Sequence, residues 1–180
     1  HRGDAEGACD YAQRAIDFID EAGDAATRGW IPHARVWAHL VRGHALLRLG
    51  DIDGAVQSYE AGLSVERKAG PPGMPSELRA GLARAYMARD EMDAALDEIE
   101  RVLAYLETGH IHGTAEPPRI YLTCYQVLAA AGDPRQSEVL AAGYRMLMSR
   151  AAEIDDEDLR RSYLENVTAN RELAAAYLTG

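Results

Sequence analysis

The chain has 180 residues, 47% of them hydrophobic and 27% charged, which is enough apolar mass for a sizeable core in one domain. Nineteen Lys and Arg face 29 Asp and Glu, and the net charge of -10 argues against a duplex-binding domain, which needs a basic face for the phosphates. Cys9 and Cys124 form no CxxC or Cys/His group and no apolar run approaches the ~20 residues that span a bilayer, so the expectation is a reducing, cytoplasmic setting without disulfide framework, structural zinc or membrane segment.

Ala and Leu recur throughout while aromatic residues make up only 7%, a composition suited to helices packed closely through small side chains. Apolar periodicity predicts helices over 4–22, 33–49, 51–68, 76–89, 91–108, 117–131, 134–154 and 156–178. The first hairpin lacks one of its two helices, and the opening HRGDAEGACDYAQ has neither Met nor a signal-peptide core, so the chain is expected to start inside a longer array. GPPGMP at 70–75 and TGHIHGTAEPP at 108–118 interrupt the helical pattern. Expected N-caps are Ser76, Asp133 with Pro134 at the first helical position, and Asp155 or Asp156 ahead of the last helix.

A period runs through these elements. RGDAEGACDYAQRAI, LGDIDGAVQSYEAGL, RDEMDAALDEIERVL and AGDPRQSEVLAAGYRML align on the turn residues Gly3, Gly50, Asp90 and Gly132, spaced by 47, 40 and 42 residues. Five places after the turn stand Ala8, Ala55, Ala95 and Ser137, all small. Seven places before it are Gly43, Ala83 and Tyr125, and four before it the larger Leu46, Tyr86 and Leu128. Ala12, Tyr59, Ile99 and Ala141, then Ala15, Gly62, Val102 and Tyr144, continue an apolar stripe at helical spacing. One hairpin cannot bury that stripe, whereas stacked hairpins do.

The small, large and Gly-Asp positions resemble those of tetratricopeptide repeats over residues 1 to about 150, although the spacing exceeds the usual ~34 residues. Arg42, Tyr125 and Ser137 depart from the pattern. The resemblance implies an all-α, right-handed superhelical stack of antiparallel helical hairpins: a partial one at 1–22, then 33–68, 76–108 and 117–154, closed by a capping helix at 156–178 in a single 1–180 domain. The tail, from EPPRIYLTCYQ to LRRSYLENVTANREL, resembles the C-terminal end of large bacterial signalling proteins. In those, a cyclase or other output domain and an AAA-type or NACHT-like ATPase precede a helical-repeat region, as in the maltose-operon activator class of regulators. That resemblance implies a C-terminal sensor or interaction region whose chemistry resides in other domains.

The chain offers no catalytic constellation of its own. His39 and His44 are five residues apart, about 140° around a helix, which misses the i, i+4 pairing that suits zinc. His33, His110 and His112 add no ligand spacing. Asp155, Asp156, Glu157 and Asp158 lack the alternation and central Gly of a calcium loop and fit a helix N-terminus instead. Cys124 reads as core, with no His placed to activate it. Asn166-Val167-Thr168 matches a glycosylation acceptor inside an expected helix, and the Gly-rich turns lack the Lys and Ser or Thr of a phosphate loop. Neither a cofactor nor a metal is expected.

What is left is a groove. In a tetratricopeptide superhelix the first helix of each hairpin lines the concave surface. The alignment then assigns to the lining Trp37, Leu40, His44, Leu47 and Arg48, followed by Glu77, Ala80, Arg84 and Met87, and by Arg119, Leu122 and Gln126. Arg48, Arg84 and Arg119 suit carboxylates, and Trp37 with Met87 offers apolar anchoring, so an acidic protein segment is the expected occupant. The alternatives are cations paired with neighbouring Glu, or a groove filled by the 156–178 helix. The expected function is a non-catalytic interaction or regulatory scaffold that binds a partner segment or associates with itself, without nucleic acid or membrane. The alternative is a small-molecule sensor that controls an upstream ATPase or cyclase.

Overall fold

A computed structural model describes residues 2–21, 31–69, 74–108 and 114–179. Among these the regular structure is all α-helical: α1 (Arg2–Glu21), α2 (Ile31–Leu49), α3 (Ile52–Ala69), α4 (Met74–Ala88), α5 (Met92–Leu106), α6 (Pro117–Ala130), α7 (Gln136–Ala152), α8 (Glu157–Glu165) and α9 (Thr168–Thr179). The chain divides into two compact units, His1–Thr114 and Ala115–Gly180.

In the first unit each helix packs on the next along the chain from α1 to α5, and α2 also touches α4. The links between α2 and α3 and between α4 and α5 are tight helix C-caps. The amide of Asp51 donates to Leu46 O at 3.0 Å and that of Gly50 to Leu47 O at 3.3 Å. Glu91 and Asp90 repeat the pair on Tyr86 O and Met87 O at 3.0 and 3.1 Å. This double bond pattern needs a left-handed residue at its centre, and Gly50 has φ 85° and Asp90 φ 60°. The bonds reach back to Leu46 and Tyr86, so the large residue four places before each turn is the one whose carbonyl closes it. Gly3, aligned with these turn residues in sequence, lies inside α1 instead; its neighbours Arg2 and Glu6 pair at i, i+4 and continue the helix.

The core of this unit gathers Val36 and Leu40 from α2, Val56 and Tyr59 from α3, and Leu78 and Leu82 from α4. Tyr59 is fully buried, and a Cβ on either Gly43 or Gly81 would overlap its ring. The missing side chains form the slot that the ring fills. Helix α4 begins at Met74, ahead of the expected Ser76 cap. Pro75 carries no N–H and fits a first turn, where none is required, and this draws Ser76 into the helix and into the interior.

In the second unit α6 pairs with α7, and α9 packs on both. The turn after α6 has the same left-handed centre, Gly132 at φ 70°, with Asp133 N on Leu128 O at 2.9 Å and Gly132 N on Ala129 O at 3.1 Å. Asp133 does not cap α7 directly. Its carboxylate accepts from Arg135 N at 2.9 Å and holds the Arg135 guanidinium, so the helix starts at Gln136 with Pro134 in the turn before it. A Cβ on Gly143 would overlap Tyr121, which lets α7 lie close to α6, with Leu122, Leu140, Leu147 and Leu173 as the core.

The expected helix over 156–178 is two helices. Asp156 caps the first through a bond from Leu159 N at 2.9 Å, as its position suggests. The break at Asn166 and Val167 contains neither Gly nor Pro. It is held by side chains of α9 that satisfy the last carbonyls of α8: Asn170 Nδ2 donates to Tyr163 O at 2.8 Å and Arg171 Nη1 to Glu165 O at 3.0 Å. The Asn-Val-Thr triplet therefore sits at this junction rather than within a helix.

Because Asp90 holds a left-handed backbone that Gly adopts without penalty, Asp90→Gly is expected to raise the unfolding free energy by roughly 0.5–1 kcal/mol. Gly132→Ala should lower it by about 1 kcal/mol. Urea midpoints of the two variants that move in opposite directions would meet this expectation; midpoints moving together would refute it.

Candidate functional site

The face of α2 at i, i+4, i+7 and i+11 carries Trp37, Val41, His44 and Arg48. Trp37 and Val41 are 37% and 39% exposed, and Arg48 is exposed. This is an apolar pair beside a cation on one rigid helix. Arg48 also borders a depression of about 210 Å³ shared with Arg2, Ala5 and Leu49.

His44 joins this face to the core. Its Nδ1 lies 2.7 Å from the Tyr59 hydroxyl and 3.1 Å from Arg84 Nη2. A guanidinium only donates, so Nδ1 is the lone-pair nitrogen and the ring proton is on Nε2. The His44 and Tyr59 rings meet edge to face, with centroids 5.6 Å apart. Arg84 is thus a half-buried strut from α4 to α2 rather than a cation standing in an open groove.

Four other residues expected in the lining, Leu40, Glu77, Ala80 and Leu122, are buried. Leu40 packs beside Val36 in the core, and Glu77 is buried in α4, so neither presents a surface to a partner. Met87 is half-buried. Arg119 and Gln126 belong to α6 in the second unit, where both are half-buried and Arg119 pairs with Glu116 at i, i−3. The expected neutralisation of surface Arg by nearby Glu is therefore realised at Arg119.

A feature passed over in sequence lies between α3, α4 and α5, where a cavity of about 530 Å³ opens. Glu98, only 8% exposed, is held there by Arg79 Nη1, which donates to Oε2 at 2.6 Å, and by Arg101 Nη1 on Oε1. Two guanidinium groups offset the desolvation of one carboxylate. Tyr86 borders the same space. Burial pushes its phenol above the usual range, and Glu60, Glu98 and Glu91 add to the effect while Arg89 opposes it, so the hydroxyl stays a donor at neutral pH. Glu98 falls on the buried stripe of α5 with Ala95, Ile99 and Val102, and a charge on that stripe was the available signal.

His39 is a perturbed histidine. Burial, then the cations Arg35 and Arg42 on its own helix, lower it from 6.5 to about 4. Its ring is neutral in the fold and charges readily in the unfolded chain. His110 and His112 lie outside the described residues. Among the described residues no three His, Cys, Asp or Glu side chains gather where a metal could be held, and no helix is long and apolar enough to cross a membrane. Cys124 is fully buried and its thiol is pushed up to about 12, which makes it a poor nucleophile.

Comparison of the chain with protein-family models, with curated proteins and with solved structures gives no match.

Two measurements follow. In the native protein a thiol reagent at neutral pH is expected to modify the half-buried Cys9 and leave Cys124 intact until denaturant is added; native labelling of Cys124 would contradict its burial. The depressed His39 titration makes stability complete above pH 6.5 and lost as pH falls toward about 4. The loss is on the order of 1 kcal/mol after allowance for the partly exposed ring. His39→Gln should flatten that segment of the stability profile, and an unchanged slope would assign it to other groups.

Proposed function

We propose that this chain is a tetratricopeptide-type α-solenoid module without catalysis of its own. In this reading it is the C-terminal interaction region of a larger bacterial signalling or transcription regulator and binds an acidic partner segment along α2. The observation that carries the reading is the Trp37–Val41 pair, left exposed on a helix otherwise committed to the core, with Arg48 two turns further along the same face. Exposed aromatic and Arg side chains on a rigid helix are the residue types that dominate binding energy at protein interfaces. The turn chemistry at Gly50, Asp90 and Gly132 and the Tyr59 slot support the tetratricopeptide resemblance, since they give the aligned positions a common physical role.

Arg84 is less suited to partner binding than Arg48, because its guanidinium already spans to His44. The test therefore uses Trp37→Ala and Arg48→Glu. With fluorescent peptides that pair acidic residues with one apolar anchor, each substitution is expected to weaken binding about tenfold or more in anisotropy titrations. Binding that is equal in wild type and both variants, with all three proteins equally folded by circular dichroism, would sink the proposal.

A further inference from the structure

The cavity bounded by α3, α4 and α5 holds more hydrogen-bonding capacity than the packing of its walls consumes. Arg79 and Arg101 each donate one N–H to Glu98, and a guanidinium carries five. Their side chains are 28% and 56% exposed, so further donors face the opening on the α4 and α5 side, beside the Tyr86 hydroxyl. From α3 the cavity is lined by Glu60, which is exposed and forms no ion pair among the described residues. Leu63 and Leu82 supply apolar surface to the same cavity.

This layout separates the charges. Donors for an anion come from α4 and α5 and a carboxylate for a cation from α3, and Leu63 and Leu82 line the same cavity. The complementary ligand carries a carboxylate at one end, an ammonium at the other and an apolar body. A single amino acid would leave most of a cavity of about 530 Å³ unfilled, whereas two or three residues occupy more of it. A volume of about 530 Å³ falls in the range of small-ligand sites.

We propose that this cavity binds a free dipeptide or tripeptide with apolar side chains, its carboxylate on Arg79 and Arg101 and its ammonium on Glu60. The site is separate from the exposed face of α2 and does not depend on the reading of that face.

Isothermal titration of the full chain with the tripeptide Leu-Ala-Leu, its N-acetylated form, its C-amidated form and free leucine tests the assignment. The free tripeptide is expected to bind, and either blocking group or reduction to leucine should cost about tenfold in affinity. In Arg101→Gln the preference for a free carboxylate should shrink, and in Glu60→Gln the preference for a free amine should vanish. Glu60 is exposed and forms no ion pair among the described residues, so its variant tests the site even if Arg101→Gln weakens the fold. Absence of binding by wild type at about 1 mM, equal binding of free and blocked peptides, or an amine preference that persists in Glu60→Gln would each overturn the proposal.

Discussion

The first unit is organised around one aromatic ring. Tyr59 belongs to α3, but its ring lies in space vacated by Gly43 of α2 and Gly81 of α4, so three helices meet on it. A buried ring of this size contributes more through close packing than any pair of aliphatic contacts. The two glycines let the helix backbones come near enough for that packing. The same ring has a polar end, and its hydroxyl meets His44 Nδ1, which in turn faces Arg84. The core and the exposed face of α2 are therefore joined through a single side chain. A change in how Tyr59 sits is felt at His44, one turn from Val41 and from Arg48.

Much of this was legible in the residues, for a physical reason. A turn that closes with a left-handed residue restricts its centre to Gly or a tolerant Asp or Asn. The spacing of Gly50, Asp90 and Gly132 therefore betrays the hairpins despite the divergence around them. The large residues four places earlier are constrained by packing: Leu46 and Leu128 are buried and Tyr86 lies against the core. Gly3 shows where the argument loses its force. Glycine is permitted in a left-handed turn but does not impose one, and a helix runs through that position. The stripe fades similarly in α7, where Ser137 is exposed while its counterparts Ala55 and Ala95 are buried.

The features that escaped a linear reading depend on side chains reaching across elements. The division between α8 and α9 has no breaker residue. It exists because Asn170 and Arg171 reach back to carbonyls of the preceding helix, and nothing in their identity announces the partner. Leu40 and Glu77 were assigned to a surface by their place in a repeat, yet each follows its local packing into the interior. Arg84 does project toward α2, but the ring it finds there is forty residues away in sequence.

Glu98 poses the sharpest question about what the fold is for. Its place in the buried stripe of α5 is filled elsewhere by Ala, Ile and Val, and an apolar residue there would hold α5 to α4 at no loss, since buried ion pairs rarely outdo well-packed hydrophobes. The carboxylate instead requires two guanidinium groups to be held still, one from α4 and one from its own helix. Both are thereby kept pointing at a cavity, with their long side chains ordered in advance of any ligand. Ordering of that kind removes part of the entropy that a flexible Arg loses on binding. A residue of little use to stability thus becomes intelligible as the support for a charged wall.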